Sequence, residues 1–219
     1  MSMAIIFDTE TTGKINPIIV EAAWIKVENL NPFKTSEEFS QRFNPGKKIE
    51  LGALATHHIL DEDLIHEPPA SEFQLPQFTS YIIGHNIDYD WSVIGNPDIK
   101  RICTYALAKF LWPELDSHSQ SSIIYFLDRL NAKQKLQNSH SALKDVENCA
   151  FILEVICKEL SISSIDALWE KSEIARVPTH INFGKYKGMA LAEIPSDYRS
   201  WLLKQDDIDT YLKKALNKH

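Results

Sequence analysis

The chain of 219 residues carries 23 Lys and Arg against 30 Asp and Glu, a formal net charge of −7, with 44% hydrophobic and 24% charged residues. These proportions are ordinary for a soluble globular protein with room for one well-cored domain plus an appendage, or for one large domain. They exclude a membrane-spanning helix, since no apolar run reaches the ~18–20 residues that one needs. Three cysteines (Cys103, Cys149 and Cys157), odd in number and without a CxxC pair, point to reduced core thiols rather than a disulfide framework. Met1 to Phe7 lacks the basic flank and cleavage site of a signal peptide, so a cytoplasmic location and no membrane partner are expected.

The charge is unevenly spread. Residues 1–99 hold 6 Lys/Arg against 15 Asp/Glu, 100–136 hold 6 against 3, 137–175 hold 3 against 7, and 176–219 hold 8 against 5. An acidic count of this kind suits carboxylates that hold divalent cations, and it equally suits an ordinary acidic surface.

In chain order, Met3–Ile6 plus Phe7 form an apolar run ending in Asp8, and Ile18 to Val27 is a second, β-branched run. Glu37 to Phe43 reads as a third strand closed by the turn Asn44-Pro45-Gly46. Ser71 to Phe78 reads as a short helix and Tyr81 to Gly84 as a buried strand. Trp91 to Ile94 is helical up to Gly95-Asn96-Pro97. Thr104 to Trp112, Ile123 to Leu130 and Ser141 to Leu160 repeat apolar residues at helical spacing. Strands first and helices later predict an α/β or α+β architecture. A polar stretch between Ser161 and Pro178 marks a weak boundary. We place a domain at 1–165 and a small extension at 166–219, the latter read as a hairpin around Gly184 to Gly188 followed by two short helices.

Three segments could carry chemistry. In extended backbone Asp8 and Glu10 project to one side, at the end of the first strand and just before Thr11-Thr12-Gly13. The same acid-x-acid spacing recurs at Asp61/Asp63, Asp88/Asp90 and Asp207/Asp209, so spacing alone does not single the pair out. The second segment is His85-Asn86-Ile87-Asp88-Tyr89-Asp90, after the Tyr81–Gly84 strand; a carboxylate there also suits a helix cap. The third is His140-Ser141-Ala142-Leu143-Lys144-Asp145. Five residues along one helix turn the side chain by about 140°. His140 and Asp145 therefore share a site only if His140 lies in the loop before the helix, where Ser139 and Ser141 are suitable caps.

Taken together and in this order, Asp8, Glu10, Asp90, His140 and Asp145 resemble the signature of the DEDDh exonuclease superfamily, over roughly residues 3 to 160. FDTETTG matches the first motif, GHNIDYD the second and HSALKD the third. Thr56-His57-His58-Ile59, followed by acids and Pro68-Pro69, resembles the segment between the first two. Cys103-Thr104, Leu111-Trp112-Pro113, the run Phe183 to Gly188, Asp197-Tyr198 and Trp201-Leu202 resemble one bacterial branch of the superfamily. The resemblance implies an RNase H-like α/β fold, a mixed central sheet flanked by helices. It further implies a 3′→5′ exonuclease that releases 5′-mononucleotides from DNA 3′ ends, in DNA repair.

Phosphodiester hydrolysis needs an activated water, charge neutralisation on the phosphate and a stabilised leaving oxygen, and carboxylates suit hard divalent ions. The resemblance implies two Mg²⁺ per site, with Mn²⁺ able to substitute. Asp8 is expected to bridge both, with Glu10 and Asp145 on the ion that carries the water and Asp90 nearer the other. His140 is expected to take the water's proton, histidine being a base available near neutral pH. Asp88, an extra acid, competes with Asp90 for the ligand role, and the family pattern favours Asp90. Thr9, Thr11, Thr12, His85 and Asn86 are expected around the terminal nucleotide, with Lys14 and Ile15 against the terminal base pair. The tail places Lys185, Lys187 and Arg199 beside Tyr186, Tyr198 and Trp201, which suits nucleic acid; for the aromatics, packing against the first domain is the preferred reading, and for the lysines both readings stay open. The residues leave open an exoribonuclease acting on RNA, a non-catalytic nucleic-acid-binding module, single- against double-strand preference, and oligomeric state.

Overall fold

A computed structural model describes residues 3–137, 140–205 and 208–218. The chain forms two compact units, Met1–Ser172 and Glu173–His219.

The first unit is built on a five-stranded mixed sheet. Strand β1 (Met3–Thr11) is central, with Ile5, Ile6 and Phe7 buried, as a strand covered on both faces requires. It pairs antiparallel with β2 (Ile19–Leu30), and β2 pairs antiparallel with the edge strand β3 (Phe33–Arg42), whose exposed side chains include Lys34, Glu38 and Arg42. On the other side β1 pairs in parallel with β4 (Thr79–Gly84), and β4 in parallel with β5 (Lys100–Cys103), giving the order β3-β2-β1-β4-β5.

Helix α1 (Leu51–His57) precedes β4, α2 (Asp88–Val93) joins β4 to β5, and α3 (Thr104–Leu111), α4 (Gln120–Leu127) and the single turn α5 (Ala132–Lys135) follow. The long helix α6 (Ala142–Glu159) lies against β1 and β2, and α3 and α4 pack on it. Its buried Val146, Cys149, Ile152, Leu153 and Ile156 form the stripe expected of an amphipathic helix. The residues of α7 (Ile165–Ala175) up to Ser172 belong to this unit. This is the α/β, RNase H-like architecture expected from the sequence, and among the described residues no helix is long and apolar enough to cross a membrane.

The second unit holds two short helices, α8 (Ser196–Leu203) and α9 (Thr210–Leu216). Before them a tight turn closes through Gly188 N–H to the Ile181 carbonyl (2.7 Å), with one bridge between His180 and Ala190. Its core gathers Ile181, Leu191, Ile194, Leu202, Leu212 and Leu216.

The helix expected over Ser71 to Phe78 is absent: a 3₁₀ turn at Ala70–Glu72 gives way to extended backbone. Pro76 disfavours helix at the residue before it. Phe73 is also drawn into a ring cluster with Phe7, Phe39 and Phe43, at centroid distances of 5.7, 6.5 and 5.8 Å. Helix α7 fills the polar stretch read as a boundary, and α1 and β5 are further elements that the periodicity did not announce.

Candidate active site

The alternation of β1 puts Asp8 and Glu10 on one face. The strand continues through Thr11, so the pair sits within it rather than beyond its end. Because α6 crosses this face, Asp145 in its first turn is delivered to the same place. One carboxylate oxygen from each of Asp8, Glu10 and Asp145 lies within 4.8 Å of the others.

Asp90 arrives from the opposite flank. The β1–β4 ladder ends at Ile6↔Ile83, so the edge of β1 beyond it has no strand partner on that side. Asp90 takes the place of one: its Oδ1 accepts the Thr9 N–H at 2.9 Å and the Thr9 hydroxyl at 2.6 Å, and the side chain is buried. Gly84 permits this junction, since a Cβ there would stand 2.9 Å from the Phe7 carbonyl oxygen. Asp88 points elsewhere, to the Arg101 guanidinium at 2.5 Å, which lies over the Trp91 ring.

Burial raises the pKa of all four acids, and their mutual repulsion adds to it. Glu10 is pushed up to about 8, by burial and then by Asp145. Asp90 rises to about 7 although its bonds from Thr9 favour the ionised form. Asp8 is raised well above the carboxylate range by burial and by Asp90, Asp145 and Glu10. Asp145 is raised by burial, partly offset by the positive field of His140 and by the His140 N–H. Among the described residues the Lys and Arg ion pairs lie elsewhere. A nest of carboxylate oxygens without a Lys or Arg partner among the described residues is the donor set that hard divalent cations take, so the residues fit such a cofactor.

His140 stands exposed just before α6, in left-handed backbone (φ 71°), which makes it the loop residue that sharing a site with Asp145 requires. Ser139 lies outside the described residues. The first N–H of α6 is capped from another strand: Ala142 N–H donates to Glu21 Oε2 at 2.7 Å. Glu21 sits on β2 opposite Glu10, is 6% exposed, and receives Arg42 Nε at 3.3 Å. Sequence reasoning passed over Glu21, although an acid inside the β-branched run Ile18 to Val27 was a visible anomaly.

The segment after β1 forms a closed cradle. The Thr11 hydroxyl is 2.6 Å from that of Tyr89, which donates to the Gly13 carbonyl at 3.1 Å. The Thr12 hydroxyl accepts Ile18 N–H at 3.1 Å, and the Thr12 carbonyl accepts Glu50 N–H at 2.8 Å. Gly13 has φ +147°, and a Cβ there would collide with the Glu50 carboxylate at 2.1 Å. His57 ties the cradle from below. Ile59 N–H donates to its Nδ1 at 3.0 Å, so Nε2 carries the proton and donates to the Thr11 carbonyl at 3.2 Å. Lys14 and Ile15 are exposed at the loop tip, and Lys47 holds the Asn16 carbonyl at 2.7 Å.

Of the other expected contacts, Asn86 is exposed with φ 74°. His85 has both ring nitrogens engaged by the protein: Nε2 donates to the His118 carbonyl at 2.8 Å and Nδ1 is 3.0 Å from the Thr104 hydroxyl. Burial lowers its pKa to about 4, so it is a neutral strut between β4, α3 and the loop before α4.

The comparisons with known proteins agree with this geometry. The RNase_T family model, described as Exonuclease, matches residues 5–153. The chain belongs to that family; it is a DEDDh-type 3′→5′ exonuclease, a phosphodiester hydrolase. Within the family it is similar to exonuclease X, the bacterial branch whose tail the C-terminal motifs resemble. It is 27% identical to Exodeoxyribonuclease 10 of Escherichia coli (strain K12) over 217 residues, covering 92% of this chain and 91% of that one. It is 29% identical to the DNA polymerase III subunit epsilon of Buchnera aphidicola over 161 residues, covering 64% of this chain and 67% of that one. The structure of exonuclease X in complex with 5′ overhanging duplex DNA superposes with a TM-score of 0.65 at 26% identity, over 78% of this chain and 99% of that one.

Proposed function

We propose that the chain is a Mg²⁺-dependent exodeoxyribonuclease that removes 5′-mononucleotides from DNA 3′ ends, in the repair of those ends. The observation that carries this reading is the convergence of Asp8, Glu10 and Asp145 within 4.8 Å, with Asp90 held on Thr9 beside them. The similarity to Exodeoxyribonuclease 10 and to an exonuclease bound to duplex DNA supports DNA as the substrate.

The four carboxylates would hold two Mg²⁺ ions, with Mn²⁺ able to replace them. Bound there, the ions supply charge neutralisation on the phosphate and lower the pKa of the attacking water. His140, on its loop beside Asp145, takes the proton from that water at a ring nitrogen. Asp90 and Thr9 fix each other, so the acid enters the site with its rotamer set. The closed cradle of Thr11, Thr12 and Gly13 seats the terminal nucleotide against backbone. Lys14 and Ile15 meet the last base pair, and Asn86 lines the approach beside His85. Residues 1–165 carry this chemistry and 166–219 form an accessory extension. A cytoplasmic setting belongs to the same reading and is supported by three free, buried thiols.

The test is a time course with 5′-labelled DNA, single-stranded and duplex, in Mg²⁺ or EDTA, with Asp8→Ala alongside. A ladder shortening from the 3′ end, present only with Mg²⁺ and wild-type chain, is expected. A ladder on matched RNA but none on DNA would make the chain an exoribonuclease, and silence on both would leave a binding module.

A further inference from the structure

The second unit leaves large aromatics outside its own core. Aliphatic residues fill that core, and Tyr186 and Tyr198 are among the half-buried residues packed against it. Tyr198 and Trp201 are three apart on α8 and so share a helix face. Three rings consequently stand in a row: Tyr186 meets Tyr198 edge-on at 4.7 Å, and Tyr198 stacks on Trp201 at 5.3 Å and 28°. The row ends at Trp201, which is 52% exposed, and Phe183 is 40% exposed.

A basic side chain stands at the start of the row. Lys185 Nζ lies 5.1 Å from the centre of the Tyr186 ring, and Lys185, Lys187 and Lys204 are all exposed. The acid nearest in sequence, Asp197, is exposed and accepts the N–H of its neighbour Tyr198 at 2.8 Å. Residues 173–219 hold eight Lys and Arg against six Asp and Glu, within a chain whose net charge is −7.

A half-exposed Trp backed by a stacked Tyr offers a base its π-face, and every base has one. Lysines beside it match the phosphates that link such bases. We propose that this face is a binding site for single-stranded nucleic acid, with an unstacked base on Trp201 and phosphates on Lys185 and Lys187. It rests on the nucleic-acid substrate proposed above and gives the C-terminal unit a hold of its own. An apolar protein partner fits less well, because the Lys185 ammonium stands over the first ring of the row.

The experiment uses the full chain in EDTA and a 5′-fluorescein oligo(dT) of thirty nucleotides, read by fluorescence anisotropy across salt. Trp201→Ala is expected to weaken binding about tenfold, the usual effect of losing one stacked base. Trp201→Phe, which keeps a ring, is expected to bind like wild type. Lys185→Ala with Lys187→Ala is expected to flatten the log–log salt slope by about 1.4, as two phosphate contacts on a single strand predict. Hydrolysis of a trinucleotide in Mg²⁺ should keep its wild-type rate in all three variants. Wild-type affinity and salt slope in both Trp201→Ala and the double lysine variant overturn the proposal, including the case in which the face takes a protein. A wild-type chain that cuts neither oligonucleotide, while Trp201→Ala still weakens binding, defeats the exonuclease reading and upholds this one. Both lysines are exposed, so the double variant reads out the site even if Trp201→Ala unfolds.

Discussion

Glu21 on β2 accepts the first N–H of α6, that of Ala142, across a separation of 121 residues. A buried carboxylate at a helix N-terminus satisfies an orphan donor and meets the positive end of the helix dipole. Here it also sets where α6 begins, and hence where His140 and Asp145 stand relative to Asp8 and Glu10.

Glu21→Ala should therefore act as a positioning defect. Loss of a cap costs about 1 kcal/mol of stability, and the shifted helix start should lower kcat about 10- to 100-fold, the scale of a small misplacement of reacting groups. KM for a DNA oligonucleotide should change little. Glu21→Gln keeps an acceptor for Ala142 and should recover most of the rate. Steady-state kinetics with thermal melts check this, and a Gln variant no better than Ala would argue against positioning.

Asp8→Asn should separate activity from stability. Removing a metal ligand withdraws several kcal/mol of transition-state stabilisation, a loss of at least about 10³-fold in rate. The same change removes one of four mutually repelling acids. In EDTA at pH 8 the variant should melt higher than wild type, by about 2–4 °C for each kcal/mol of relieved repulsion. Paired melting curves and rate assays would show it, and a variant that melts lower in EDTA would contradict the repulsion.

The raised pKa values fix the sign of the pH dependence. Glu10 at about 8 and Asp90 at about 7 hold protons in the folded chain that the unfolded chain has already released. Their contribution is full below the ordinary carboxylate pKa and is lost as pH rises through those folded values. His85, depressed to about 4, acts oppositely, its contribution being lost as pH falls below its ordinary value near 6.5. The clean window therefore lies above pH 6.5. Between pH 6.5 and 8.5 in EDTA the melting temperature should drop by about 5 °C. Mg²⁺, which binds the ionised acids, should raise it more at pH 8.5 than at 6.5. Calorimetry decides, and a flat profile in EDTA would speak against these shifts.

Lys14 and Ile15 stand at an exposed tip, with Ile15 74% exposed. Lys14→Ala with Ile15→Ala should slow digestion of blunt duplex DNA about tenfold, roughly 1.4 kcal/mol of lost fraying. Single strands should be cut as before. Equal slowing on both substrates would show a general binding loss instead.

Much of this site was legible in the sequence because its residues follow local rules. Asp8 and Glu10 obey the two-residue period of a strand, and His140 and Asp145 straddle a helix start, so each could be placed from its neighbours. Asp90 was chosen over Asp88 on family pattern alone, and the bond to Thr9 is what separates them physically. Glu21 and His57 were not legible as parts of the site, because their partners, Ala142 and Thr11, are brought to them only by the folded sheet. The expected helix at Ser71 to Phe78 failed for the same reason: Phe73 answers to Phe7 and Phe39, not to its own period.

The early stop of β4 has an engineering consequence. Asp90 reaches Thr9 only because the parallel neighbour of β1 ends at Gly84 while β1 runs on to Thr11. Two residues inserted before Gly84 would extend the ladder over Thr9 and shut the acid out, leaving a well-formed sheet without its fourth carboxylate. The difference in length between two adjacent strands is thus a dimension of the catalytic apparatus, as consequential for redesign as any side chain in it.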